Sequence, residues 1–148
     1  MINKILVATD GSGHARKAID YACDLALRYE ATVYLLHVIH KSGVPESLLK
    51  IIEAHRGEKT PEEVILKEIG DRIIKAAETE AEKKGLKNFQ SFIVQGDPAE
   101  RIIEFARQEG VDIIVVGGRG LSTLEGVFLG SVSHKVCHRA DCTCVTVK

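Results

Sequence analysis

Short runs of branched aliphatic residues alternate down this chain with segments whose apolar residues recur every three or four positions, and that alternation decides the fold class. Residues 4–9 (KILVAT) read as a buried strand closed by the turn Asp10-Gly11-Ser12-Gly13. Ala15, Ala18, Ile19, Ala22, Leu25, Ala26 and Tyr29 then mark one face of a helix over about 13–30. Residues 32–39 (TVYLLHVI) form a second strand. Thr60-Pro61-Glu62-Glu63 spells a helix start, with a hydroxyl at the N-cap, proline at the first helical position and a carboxylate at the third. That helix runs to about Gly85, with an expected core stripe of Ile65, Ile69, Ile73, Ala76 and Ala77. Residues 89–95 (FQSFIVQ) give a third strand, and Asp97-Pro98-Ala99-Glu100 repeats the capping grammar for a helix ending near Gly110. Residues 111–117 (VDIIVVG) are a fourth strand; Val132, Val136 and Ala140 mark a short last helix, and 142–147 a fifth strand.

Strands joined by helical crossovers make a parallel sheet covered on both faces. The expected class is therefore α/β, a single doubly wound five-stranded parallel sheet with helices on both faces, in one domain spanning residues 1–148. At that length a hydrophobic core suffices without disulfides or structural metal. Residues 41–59 carry no clear pattern and are expected to be a surface insert. The formal charge is −1, with Lys and Arg interspersed among Asp and Glu, which argues against a nucleic-acid surface. The chain has no apolar run long enough to span a bilayer, and Asp10 interrupts the N-terminal segment before a signal-peptide core can form. A cytoplasmic protein with reduced cysteines is expected, with no membrane association.

Open parallel sheets bind ligands beyond the carboxyl ends of their strands, where crossovers diverge to opposite faces. Two turns qualify here. Thr9, Asp10, Gly11, Ser12 and Gly13 follow the first strand; Gly117, Gly118 and Gly120 follow the fourth, and Gly130-Ser131-Val132-Ser133 opens the last helix. Glycines admit backbone close to a ligand, and a helix N-terminus offers unpaired N–H groups and partial positive charge to phosphate. Ordinary turn glycines and a capping serine would look the same. A P-loop is excluded, because no lysine precedes Ser131; a dinucleotide fingerprint is excluded, because Arg16 stands where a third glycine belongs and the second strand ends in His37-Val38-Ile39-His40.

The spacing Gly117-x2-Gly120-x9-Gly130-Ser131 closely resembles the nucleotide motif of the universal stress protein family. The turn Thr9-Asp10-Gly11-Ser12, the second-strand Leu35-Leu36-His37-Val38, Gly96-Asp97-Pro98-Ala99-Glu100 and the stretch Leu129-Gly130-Ser131-Val132-Ser133 stand in family order along the whole chain. The resemblance implies an adenine nucleotide alpha hydrolase-like fold and ATP as ligand, with AMP or ADP as alternatives and Mg²⁺ or Mn²⁺ carried on the phosphates. It places Ala8, Thr9 and Asp10 beside the adenosine, Val38 at the adenine edge through its backbone, and Val116 and Gly117 beside the ribose. Gly120, Gly130, Ser131, Val132 and Ser133 are expected to surround the phosphates. Asp10 could equally form its turn or cap the first helix, and one residue can do both. Arg119 is either a phosphate contact or a solvated loop residue.

The implied function is a regulatory nucleotide-binding domain in stress response, acting on a protein partner the sequence does not name. The alternatives are a weak ATP hydrolase, a flavin-type redox protein and a nucleotide-free dimeric scaffold. No catalytic set stands out, so binding rather than enzymatic turnover is expected. The resemblance also implies a homodimer formed through the fifth strand, an apolar sheet edge that needs cover. A rival lies near the C-terminus, where His134, Cys137, His138, Cys142 and Cys144 fall within eleven residues. They lack the spacing of common zinc knuckles, and buried thiols are the expectation there, with no metal site.

Overall fold

The computed structural model describes residues 1–40, 61–120 and 129–148. Its elements are β1 (Lys4–Ala8), α1 (Gly13–Tyr29), β2 (Thr32–Ile39), α2 (Pro61–Lys83), β3 (Phe89–Gln95), α3 (Pro98–Glu109), β4 (Ile113–Gly117), α4 (Ser131–Arg139) and β5 (Thr143–Val147). The five strands form one sheet in the order β3-β2-β1-β4-β5, and every neighbouring pair is parallel. This is the doubly wound α/β class expected from the sequence, with boundaries shifted by a residue or two. The expected insert at 41–59 and the Thr60 cap lie outside the described residues.

Period-two alternation sorts the strands onto two cores. Ile5, Val7, Val33, Leu35, Ile113 and Val115 face α1 and α2, while Leu6, Tyr34, Leu36, Ile114 and Val116 face α3 and α4. The helices meet the sheet largely through alanine: Ala18, Ala22 and Ala26 on α1, Ala77 and Ala81 on α2, Ala99 and Ala106 on α3. Small side chains let each helix axis settle close to the strands, so the larger strand residues fill the layer between. Helix ends follow local chemistry. Ser12 caps α1 by accepting from the Ala15 N–H, Asp97 caps α3 by accepting from the Glu100 N–H, and Gly110 ends α3 in the left-handed region at φ 62°.

Two expected stripes are corrected. On α1, Tyr29 is exposed and Cys23 takes a core position. On α2 the buried line is Leu66, Gly70, Ile74, Ala77 and Ala81; Ile65, Ile69 and Ile73 are half-buried flanks and Ala76 is exposed. Gly70 is the physical reason. A Cβ there would stand 3.2 Å from His37 Cδ2 and 3.4 Å from Ile39, so the helix turns its one position without a side chain toward the end of β2.

Candidate functional site

Strand order places β1 between β2 and β4, with α1 leaving β1 toward one face of the sheet and α4 following β4 on the other. The carboxyl ends of β1 and β4 are therefore the switch point, and the expected residues converge on it. Ala8 stands in register with Leu36 on one side and Val116 on the other. Ala8, Val38, Val116 and Val132 all belong to the apolar cluster on the α3/α4 face. Val116 is 3% exposed, which leaves its backbone rather than its side chain to border a ligand.

Val38 has open backbone groups for a reason set by ladder geometry. The Thr9 N–H donates to the Leu36 carbonyl (2.9 Å) and the Gly96 N–H to the Ile39 carbonyl (3.1 Å), so even-numbered residues at the end of β2 aim their backbone at β1 and odd-numbered ones at β3. Val38 thus aims its N–H and C=O at β1. That strand has already ended at Ala8, and among the described residues no backbone group pairs with Val38 on that side.

The turn after β1 is built from its own side chains. Thr9 Oγ1 accepts the Gly11 N–H (3.2 Å), Asp10 Oδ1 accepts the Ser12 N–H (2.9 Å) and Ser12 Oγ accepts the Ala15 N–H (3.2 Å). Asp10 is therefore the turn former, and the cap of α1 is Ser12. His37, 8% exposed, reaches across from β2 to place Nδ1 2.8 Å from the Thr9 carbonyl, a contact in which a protonated Nδ1 donates. The positive φ of Gly11, 82°, lets the chain reverse here.

The glycines after β4 have separate tasks. Gly117 is pressed against α1: a Cβ there would lie 2.8 Å from the His14 carbonyl carbon and 2.9 Å from the Ala15 nitrogen. Gly118 ties the loop at both ends, since its N–H donates to the Val147 carbonyl and its own carbonyl accepts the Gly130 N–H, each at 2.7 Å. Gly120 faces Asp10, where an added Cβ would stand 2.6 Å from Oδ2. Ser133 is 3% exposed, with Oγ 3.2 Å from the Gly118 carbonyl and 3.0 Å from the Gly130 carbonyl. Its hydroxyl is thus committed to stapling the loop, and its backbone N–H is what remains for a ligand. Ser131 is exposed.

This staple fixes the start of α4 without capping it. Gly130 occupies the N-cap with extended backbone (φ −68°, ψ 159°) and makes no side-chain cap hydrogen bond, unlike Ser12 on α1 and Asp97 on α3. The first-turn N–H groups of Ser131, Val132 and Ser133 sit at the positive end of the helix dipole, a ready site for an anion. Sequence reasoning named Gly118 among the turn residues without its tying role, and gave His14 and His37 no place in the site. His14 Nδ1 is buried with no hydrogen-bond partner among the described residues. Gly118 was legible as one more loop glycine, whereas the two histidines carried no local signal.

The expectation of buried thiols in the cysteine-histidine cluster is corrected: Cys137 is exposed, and Cys142 and Cys144 are half-buried. His134 and His138 stack along α4 with ring centroids 6.2 Å apart, and Cys137 Sγ meets Cys144 Sγ at 3.0 Å. Among the described residues no three His, Cys, Asp or Glu side chains gather as metal ligands. No described helix is long and apolar enough to cross a membrane.

The universal stress protein family model matches residues 1–148. The universal stress protein YxiE of Bacillus subtilis (strain 168) is 38% identical over 151 residues, covering 100% of both chains. The solved structure of MJ0577, a universal stress protein of Methanocaldococcus jannaschii, matches with TM-score 0.78 at 32% identity, covering 100% of this chain and 96% of that one. A universal stress protein solved in complex with cAMP matches with TM-score 0.69 at 25% identity, covering 99% of this chain and 96% of that one. With the fold, the glycine spacing and full-length similarity in agreement, this chain belongs to the universal stress protein family.

Proposed function

We propose that this chain is a regulatory domain that binds an adenine nucleotide, ATP foremost, across the carboxyl ends of β2, β1 and β4. The observation that carries this reading is the uncapped N-terminus of α4, fixed by the Gly118–Gly130–Ser133 staple on the same sheet face as Ala8, Val38 and Val116. In this reading the base lies against Val38 and pairs with its open N–H and C=O. The ribose passes Asp10, Val116 and Gly117, and the phosphates meet Gly120, Gly130 and the first-turn N–H groups of Ser131, Val132 and Ser133. Asp10, held by Ser12 and facing Gly120, links the nucleoside end to the phosphate loop, with Ala8 and Thr9 forming the wall behind it. The cAMP complex of a relative supports an adenine nucleotide at this fold. A divalent ion, Mg²⁺ or Mn²⁺, would neutralise phosphate oxygens, since such ions favour oxygen donors and ride on phosphates.

Nucleotide occupancy would change the loop from 117 to 130 and hence a surface offered to a partner protein in the cytoplasm. The chain would act as a homodimer. In β5, Thr143, Val145 and Val147 aim their backbone at β4, while Cys144 and Thr146 aim theirs outward, where a second copy can pair. The test is mass spectrometry of ligand released from purified protein, with calorimetric titration of stripped protein by ATP, AMP, cAMP and adenosine. Binding of ATP at least tenfold tighter than adenosine is expected. Equal affinity for ATP and adenosine removes the phosphate role of α4, and no binding of any adenine compound removes the proposed function.

A further inference from the structure

The C-terminus of α4 and the start of β5 are joined by only Ala140, Asp141 and Cys142. Ala140 leaves the helix in extended conformation (φ −68°, ψ 141°), so the chain doubles back beneath the last turn of α4. This return brings Cys144 Sγ to 3.0 Å from Cys137 Sγ. A further approach of roughly 1 Å reaches disulfide bonding distance, a displacement within the reach of two χ1 adjustments. The two thiols differ in setting. Cys137 is exposed, whereas Cys144 is half-buried against the α3/α4 core. Burial first, and then the neighbouring Cys137 thiol, hold the Cys144 thiol well above the ordinary range, so it stays protonated.

We propose that Cys137 and Cys144 form an oxidisable dithiol site that reacts with hydroperoxides and closes to an intrachain disulfide between α4 and β5. The exposed Cys137 thiolate attacks the terminal peroxide oxygen, forming a sulfenic acid while the O–O bond breaks and the departing alkoxide or hydroxide takes up a proton. Cys144 sulfur then attacks the sulfenic sulfur; its proton leaves with the displaced hydroxide as water. Two thiols and one hydroperoxide thus become one disulfide, one alcohol (or water) and one water. Cys142 and Cys144 stand two residues apart in the chain, a separation of about 7 Å in extended backbone that bridges poorly. The edge of β5 open to a second copy lies in the plane of the sheet, whereas the Cys144 side chain stands out of it toward α4, so dimer pairing leaves the dithiol uncovered.

The experiment oxidises the full chain with hydrogen peroxide, alkylates the remaining thiols with N-ethylmaleimide in denaturant so that the buried Cys23 also reacts, and maps disulfides in a non-reducing digest by mass spectrometry. A Cys137–Cys144 linked peptide is expected, with Cys23 and Cys142 alkylated, a higher melting temperature, and reversal of both by dithiothreitol. Cys142→Ser should form the cross-link as wild type does; Cys137→Ser should lose it and show no rise in melting temperature. A Cys142–Cys144 peptide, an interchain disulfide as the main product, or four alkylated thiols after peroxide treatment would each overturn the assignment.

Discussion

Replacing Gly120 by alanine tests the contact that joins the two halves of the proposed site. The φ of Gly120 lies outside the left-handed region, so the backbone accepts alanine without strain and the whole penalty comes from the new side chain. Its Cβ would lie 2.6 Å from Asp10 Oδ2, roughly 1 Å inside van der Waals contact. Asp10 cannot swing aside without cost, because Oδ1 accepts the Ser12 N–H at 2.9 Å in the turn leading into α1. Losing that charge-assisted bond at a half-exposed site costs about 1–2 kcal/mol, or a fall in Tm of about 2–4 °C per kcal/mol for a domain this size. Displacing the carboxylate and the loop together should weaken ATP about ten- to a hundredfold, and adenosine less. The assay is a double-mutant cycle of Gly120→Ala and Asp10→Ala, followed by thermal melts and calorimetric titration. In the Asp10→Ala background the Gly120→Ala penalty should shrink to within about 0.5 kcal/mol, since the colliding group is gone. Additive penalties refute the contact; ATP affinity unchanged in Gly120→Ala refutes the phosphate assignment of the loop.

Gly117→Ala should act on stability rather than binding, because its Cβ would strike the backbone of His14 and Ala15, which has no rotamer to give; a loss of about 1–3 kcal/mol by urea denaturation is expected. Ser133→Ala should cost about 1 kcal/mol by releasing the loop staple, its two carbonyls keeping the Gly130 and His134 N–H donors. Ser131→Ala, at an exposed position, should leave the melt within about 0.5 kcal/mol of wild type yet weaken ATP about tenfold or more in calorimetry. Thr146→Pro removes an outward-facing N–H from β5 and keeps its ladder to β4, so sedimentation should show a folded monomer; a persisting dimer would place the interface elsewhere. The Asp112 carboxyl, held below its usual range chiefly by the Asn3 and Lys4 N–H groups, contributes stability that is complete above about pH 4 and lost as pH falls through its lowered native value. Asp112→Asn should flatten that acid limb in urea melts taken from pH 6 to pH 2.

Period and capping chemistry are local, so the chain by itself determined the elements. Branched runs marked β1, β2 and β4, Asp97-Pro98 announced α3, and the Gly117-x2-Gly120-x9-Gly130-Ser131 spacing pointed to the universal stress protein family. Periodicity shows that a face is hidden but not what covers it, and everything decided by a distant neighbour had to wait for the tertiary structure. The buried line of α2 turned to Leu66, Gly70 and Ile74 because β2 presents His37 and Ile39 to Gly70. Gly117 and Gly120 read alike as loop glycines until one met the backbone of α1 and the other met Asp10. Ser131 and Ser133 read alike as helix-start hydroxyls until packing buried Ser133 against two carbonyls and left Ser131 in solvent. Cys144 stood two residues from Cys142 in the chain and seven from Cys137, and the turn after α4 brought it to the farther partner. The physical reason is common to all four cases: a side chain's role is set by the surface packed against it, and that surface comes from remote parts of the chain.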